Sequence, residues 1–198
     1  MSRNKVTFGL EKVHIAFFNT TSSTQPAWET PIPIPGAVRF APEAQGEEST
    51  FYADNGPYFT YTSNNGYTAE LEMANIPDDI LAEMLGWEID ANGMLVETTD
   101  GTPKEFALLG QILGDKKNRR FVYYRCKASR PSKEHSTRAE SVEPTTETLN
   151  IRILPIEVNG RNIVRGVLEL NDTNQAVYDS FFNSVTLPSQ QQQEVRNK

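Results

Sequence analysis

The chain has 198 residues, of which 37% are hydrophobic and 23% are charged, and its formal net charge is −7. These values predict one soluble domain with a modest core and argue against a general affinity for nucleic acid or an anionic membrane. The longest apolar run near the start, residues 15–18, is too short for a signal peptide or a membrane span, and the single Cys126 excludes an internal disulfide and fits a reducing cytosol.

Short extended segments dominate the first third of the chain. Residues 6–18 are predicted to form a strand, and four prolines within residues 24–36 favour an extended edge connection over a central strand. A short strand is predicted at 37–41. Residues 42–66 are rich in Gly, Asn and Tyr and contain Asn-Gly pairs at 55–56 and 65–66, which are hairpin signals. We therefore expect a long loop or hairpin arm there.

The segment GYTAELEMAN, residues 66–75, alternates strictly between two kinds of side chain. Tyr67, Ala69, Leu71 and Met73 form an apolar face, and the other face carries small and anionic groups, so the pattern predicts a strand over 67–74. Pro77 and two acidic residues then open a helix that Gly86 ends, which predicts one flanking helix over 77–86.

Further strands are predicted downstream of the helix, at 87–90 and 94–98 around an Asn-Gly turn, at 106–113, at 119–128, at 146–156 and at 163–170. Residues 131–145 are polar and predict a loop, 176–182 predict a short helix, and the glutamine-rich residues 188–198 predict a flexible tail. The fold class is therefore mostly β, a sandwich or barrel in a single domain over 1–187.

Charge is distributed unevenly along the chain. No Lys or Arg occurs between Arg39 and Lys104, whereas residues 41–100 hold thirteen acids, and residues 101–138 hold ten basic residues against three acids. A dipolar surface without a purpose is one interpretation. The other is that the acidic region of one copy meets the basic region of another, a heterologous contact that builds rings or open stacks.

The sequence contains no nucleotide-binding loop, zinc-ligand spacing or nucleophile elbow. His14 is interpreted as a partly buried aromatic on a strand, His135 as a solvated loop residue, and Cys126 as a core residue in preference to a nucleophile. Residues 90–93 resemble the start of a calcium loop but lack its closing Glu, so a turn is favoured. The basic run 116–120 is interpreted as a solvated hairpin tip or protein contact. No enzyme activity, cofactor or metal is predicted.

Three stretches match a set of motifs in the order in which they occur along the chain. FGLEKVHIAFF is similar to an opening GLKxVxxA strand, and PGAVRFAPEAQGEESTFYADNGPY resembles xxGAVxLxxEPxGxxxxFYADNxxY. GYTAELEMANIPDDILAEMLGWEIDANGMLVE resembles GxxGxLEL…LPxxxxxxxLGxxxDxNGVxxE, and residues 103–141 continue with the same order of strands and polar loop. Over roughly residues 8–155 the chain therefore resembles the major tail proteins of long-tailed bacteriophages (siphoviruses), specifically the phi13-type tail tube family.

The resemblance implies a structural virion protein, made in the host bacterial cytoplasm, that forms hexameric rings stacked into a tube. Its implied partners are other copies, the tape measure protein, the distal tail and tail terminator proteins, and double-stranded DNA that passes through during ejection, with no membrane. Long loops would reach between subunits. We therefore expect the arm to contact another copy through residues that cannot form a core alone: Phe51, Tyr52, Asp54, Tyr58, Phe59 and Tyr61.

A channel for DNA should avoid extra phosphate contacts, and the glutamate face of 67–74 suits such a wall. Paired with 146–154, its polar face would present seven side chains toward the lumen: Arg39, Thr68, Glu70, Glu72, Thr148, Asn150 and Arg152. Each arginine is expected to pair with a nearby carboxylate, and Glu70 and Glu72 are the obvious candidates. The alternative is that this face meets outside solvent.

Two other functions fit the sequence. A carbohydrate- or receptor-binding β-sandwich would use the exposed aromatic residues of the arm. A secreted pilus or adhesin subunit would need an export signal, which the sequence argues against.

Overall fold

The computed structural model of the protein describes residues 9–19, 25–115, 117–132 and 145–189. These residues form fifteen strands and two helices, which confirms the predicted mostly-β class. The strands are β1 (Leu10–Asn19), β2 (Ala27–Trp28), β3 (Ile32–Pro33), β4 (Ala37–Ala44), β5 (Glu48–Ala53), β6 (Gly56–Thr62), β7 (Tyr67–Met73), β8 (Glu88–Ile89), β9 (Leu95–Val96), β10 (Phe106–Ile112), β11 (Arg120–Ala128), β12 (Glu147–Ile153), β13 (Ile156–Val158), β14 (Arg161–Ile163) and β15 (Arg165–Leu168). The helices are α1 (Asp78–Leu85) and α2 (Gln175–Asp179).

One nine-stranded antiparallel sheet organises the fold, in the order β2-β1-β10-β11-β12-β7-β4, with β3 added beside β1 and β15 beside β11. The edge of β11 is divided, because residues 120–123 pair with β15 and residues 126–128 pair with β12. Phe40 on the terminal strand β4 stacks on Phe121 of β11, with ring centroids 5.8 Å apart. The sheet therefore rolls over its own apolar face, in keeping with the barrel-like form that was predicted.

The rolled sheet encloses the main core. The alternating residues of β7 and β12 face inward, so Leu71, Met73, Leu149 and Ile153 are fully buried against β1, β10 and β11. Helix α1 closes the core with Ile80, Leu81, Met84 and Leu85. It follows Pro77 and ends at Gly86, whose φ of 71° is left-handed, as the predicted helix over 77–86 requires.

The central strands are covered on both faces. Ala107, Leu109, Val122 and Tyr124 turn away from the main core and pack against the C-terminal segment, where Phe181 is buried. This double burial explains why β10 is a continuous apolar run without alternation.

Several predicted elements differ from the observed ones. The strand predicted at 37–41 continues to Ala44, and the Asn-Gly pair at 65–66 is not a hairpin turn, because Gly66 lies within the ladder that joins β4 to β7. The strand predicted at 163–170 is interrupted at Val164, whose carbonyl accepts a hydrogen bond from the Tyr124 amide at 3.1 Å. A second helix, α2, is present in the region predicted at 176–182.

Parts of the predicted organisation lie outside the described residues, namely residues 6–8 of the first strand, most of the loop at 131–145, and residues 190–198 of the tail. The division into a domain over 1–187 and a tail stays a prediction. Within the described ranges, none of the helices combines the length and apolar character that crossing a membrane requires.

Candidate functional site: a polar sheet face and an exposed hairpin

The outward side of β4, β7 and β12 is a polar face. Its residues alternate with the buried ones, and the register sets them in rows, with Glu72 between Arg39 and Thr148 in the first and Glu70 between Ala41 and Asn150 in the second. In the third row Thr68 lies between Glu43 and Arg152. The structure thus brings all seven residues predicted for a channel wall onto one face of one sheet. That this face lines a channel stays a prediction.

Glutamates at the centre of the polar face are engaged by neighbouring strands. Arg39 Nη1 lies 2.8 Å from Glu70 Oε2, so the pairing predicted for Arg39 is confirmed. Both side chains are about half exposed, at 57% and 52%, and a pair in such a position contributes no more than about 1 kcal/mol. The hydroxyl of Thr146 donates a hydrogen bond to Glu72 Oε1 at 2.7 Å.

Neither of the two carboxylates expected as candidates for Arg152, Glu70 and Glu72, pairs with it. The register places Arg152 opposite Thr68 on one side and Lys127 of β11 on the other, and it forms no ion pair with Glu70 or Glu72. Directly opposed residues of antiparallel strands point to the same side, so Lys127 joins the polar face as a cation that sequence reasoning missed. The sequence feature that could have revealed Lys127 is the alternation at the end of β11, where Cys126 and Ala128 are buried and Lys127 is exposed.

The predicted arm contains a two-stranded hairpin, β5–β6, whereas residues 42–44 belong to β4, so the predicted hairpin is confirmed over a shorter range than 42–66. It prolongs the β4–β7 ladder, since the Asn65 amide donates to the Gln45 carbonyl at 2.8 Å. The turn is formed by Asp54 and Asn55, with φ values of 49° and 64°, as expected of a two-residue hairpin loop that precedes Gly56.

One face of the hairpin is aromatic. Phe51 lies opposite Phe59, with Tyr61 two residues further along, whereas Thr50 and Thr60 contact each other on the other face. Exposure of the hairpin's aromatic side chains is high: Phe51 63%, Tyr52 68%, Tyr58 72%, Phe59 61% and Tyr61 59%. Exposed apolar groups of this density mark an interaction surface.

The remaining candidate residues serve structural roles. Cys126 is fully buried, and this burial raises the pKa of its thiol, so the interpretation as a core residue is confirmed. His14 is partly buried and stacks on Phe182 at 4.5 Å, as expected of a strand aromatic, whereas His135 lies outside the described residues. The Asp90 carboxylate accepts the Met94 and Asn92 amides, and these hydrogen bonds, that of Met94 first, lower its pKa in an ordinary turn.

The chain matches a known protein family over most of its length. The model of the phage tail tube protein family matches residues 1–162. This chain belongs to the phage tail tube protein family. It is thus a structural subunit of a tail tube, and the identification made from FYADN and LGxxxDxNG is confirmed. No curated protein sequence matches the chain.

This tail tube protein is also similar to chains in solved injection machines. A chain from the six-fold symmetrised anti-feeding prophage baseplate is 12% identical, with 85% of this chain and 97% of that chain covered at a TM-score of 0.44. One from the sheath-tube complex of an extracellular contractile injection system is 7% identical, with coverages of 80% and 89% at 0.44. One from the tube-terminating cap of the anti-feeding prophage is 7% identical, with coverages of 85% and 97% at 0.46. Because these TM-scores are below 0.5, the assignment rests on the family match alone.

The C-terminal segment of the tail tube protein lies beyond the family match and is anchored by Arg120. The Arg120 guanidinium lies 3.7 Å from the ring centroid of Tyr178 and 4.7 Å from that of Phe182. The Nε of Arg120 donates a hydrogen bond to Gln111 Oε1 at 2.9 Å. Arg120 is buried, so its assignment to a solvated hairpin tip is wrong. Its position opposite Gln111 in the β10–β11 ladder points it toward α2, a placement that the short basic run concealed.

Proposed function

We propose that this tail tube protein assembles into hexameric rings that stack into the tail tube of a siphovirus, with the polar face lining a channel for DNA ejection. The observation that carries the proposal is the sheet itself. One side of β4, β7 and β12 is committed to the core, and the other presents only polar or small side chains at Arg39, Ala41, Glu43 and along β7 and β12. A continuous wall needs such a sheet in every subunit.

The charge of the polar face suits passage of a duplex. Its cations are Arg39, Lys127 and Arg152, its anions are Glu43, Glu70 and Glu72, and three minus three gives zero. A neutral wall adds few of the phosphate contacts that would retain DNA. Lys127 and Arg152 form a local cationic spot, and the Arg39–Glu70 pair leaves the rest without a free guanidinium.

Assembly is proposed to use the hairpin, which reaches a second copy with its aromatic face. Complementary charge contributes less than the sequence implied, because much of the basic region is paired within the subunit. Lys104 pairs with Glu83, Arg130 with Glu97 and Arg125 with Glu105. We therefore infer that burial of aromatic side chains is the main driving force between subunits and that charge sets register.

The completed tube is proposed to hold the tape measure protein, to end at the distal tail and tail terminator proteins, and to be assembled in the host cytoplasm into a virion, with no catalytic step of its own. Electron microscopy of the purified protein tests this. Six-fold tubes with Glu70 and Glu72 toward the lumen support the proposal. Tubes with these residues outside refute the wall, and a persistent monomer that binds a sugar through the hairpin aromatics favours the carbohydrate-binding alternative.

A further inference from the structure

An apolar cleft of about 390 Å³ opens between β4 and β15. One edge of β11 pairs with β15 along residues 120–123 and with β12 along residues 126–128. The sheet continues from β12 through β7 to β4 and rolls over, so that β4 and β15 line the same cleft without pairing with each other. Phe40, Phe121 and Tyr123 form the walls, and Val167, which is 54% exposed, forms one lip.

Two arginines border the same cleft. The Arg165 guanidinium lies 5.7 Å from the ring centroid of Tyr67, at the border of the cleft. Arg119 follows the turn before β11, its side chain is 38% exposed, and it pairs with the carboxylate of the buried Asp115. Most of the positive charge of the rim therefore comes from Arg165, and the cleft is an aromatic slot with a cationic rim, open to solvent.

The proposed assembly supplies an occupant of matching chemistry. We propose that the cleft receives the aromatic face of the β5–β6 hairpin from a second copy of this chain, with Phe51 and Phe59 entering the slot; this rests on the proposed function. A cavity of about 150 Å³ accepts a benzene ring, so the cleft has room for both phenyl rings.

Charge and reach select the hairpin of another copy. The hairpin segment carries Glu47, Glu48 and Asp54 and no basic residue, which complements the arginine rim. The hairpin does not fill the cleft of its own chain, because Phe51 and Phe59 are 63% and 61% exposed and do not line it. Six residues separate Gln45 from Phe51, so at ~3.3 Å per residue the phenyl rings lie roughly 20 Å from the base of the hairpin, where a second copy can meet them.

Thiol cross-linking between two single variants tests the contact. Ser49→Cys is made in one preparation, which carries a tag for size, and Val167→Cys in another. Ser49 lies opposite Tyr61 and two residues from Phe51, so the thiol is placed on the aromatic face without loss of an aromatic ring. Both positions are exposed, and the native Cys126 is buried, so only the introduced thiols react. The two are mixed under assembly conditions with a short bis-maleimide, and mixed dimers are read on a denaturing gel. Met94→Cys replaces Val167→Cys in the control, because Met94 is 62% exposed and lies outside the cleft.

Contact in the tube raises the effective concentration of the two thiols to the millimolar range, so the yield of mixed dimer should exceed the Met94→Cys control by more than roughly ten-fold. Tubes seen by microscopy in the same mixture, with mixed dimer at the control level, would overturn the cleft assignment and leave the proposed function standing. Absence of both tubes and mixed dimer would overturn the proposed function and the cleft assignment together.

Discussion

Replacing Glu70 and Glu72 together with lysine should spare folding and slow DNA ejection. The substitution removes the exposed Arg39–Glu70 pair and the Thr146–Glu72 hydrogen bond, a loss of roughly 1–3 kcal/mol in total. Neither side chain lies in the core, so this loss fits within the ~5–15 kcal/mol stability of a typical domain. Each substitution changes the charge by +2, so the polar face goes from neutral to +4.

The effect on ejection follows from counterion release. If the introduced lysines give about four phosphate contacts in one ring, the affinity of the wall for DNA depends on salt with a slope of about −3.6, and it falls roughly 100-fold between about 50 and 200 mM salt. Phage carrying both substitutions should therefore eject slowly at low salt and recover at high salt. Dye fluorescence after receptor-triggered ejection measures the rate.

The matched control has Glu88→Lys and Glu157→Lys, which make the same charge change at exposed positions on β8 and β13, away from the polar face. This control should eject at the normal rate. A normal rate for the Glu70 and Glu72 variant at low salt would refute a lumenal wall. A rate that is slow and independent of salt would show that the defect lies in assembly.

Three further outcomes are expected. Deleting residues 47–64 joins Gly46 to Asn65 as a two-residue loop at the end of the β4–β7 ladder. Circular dichroism should show a folded protein and light scattering should show no polymer, whereas normal tubes would contradict the role of the hairpin. Raising salt to about 1 M shortens the Debye length to roughly 3 Å and should slow polymerisation by no more than several-fold, since five of the seven described basic residues within 101–138 are paired inside the subunit. Complete loss of polymerisation would show that charge is the main driving force. Arg120→Ala should cost about 2–4 kcal/mol in urea unfolding and speed amide exchange in α2, with the exposed Arg161→Ala as control; equal effects of the two would refute the anchor.

The polar face shows how far sequence reasoning reaches. β7 and β12 are covered by core on one side only, so their alternation survives in the sequence and predicts which six of their side chains face outward. The seventh residue of the face, Arg39, lies on β4. β11 is covered on both sides for most of its length, so its alternation is lost and Lys127 goes unnoticed. The ion pair of Arg39 with Glu70 could be predicted because the two residues lie on adjacent strands. The neighbours of Arg152 depend on the register between β7 and β12, which no pattern in a single sequence supplies.

Arg120 is a different kind of omission. Its partners Tyr178 and Phe182 lie about 60 residues away in a segment without periodicity, so nothing local marks it as buried. The hairpin could be predicted from local sequence, because the residues of its turn, which begins at Asp54, favour the left-handed conformation that the turn requires.

The hairpin also governs when a tube starts to grow. A two-stranded ribbon with both faces in water is at best marginally stable, so a free subunit samples many arrangements of β5–β6 and loses that freedom only when a neighbour holds it. The first few subunits lose the conformational entropy of their hairpins before a complete ring offers contacts that offset this loss. A subunit that adds to an existing tube binds to hairpins that are already ordered. We therefore expect polymerisation to begin after a lag that short tube fragments abolish, so that the cell can hold a pool of unassembled subunits until an initiating complex is present. Growth without a lag in light scattering would show that the hairpin is ordered before contact.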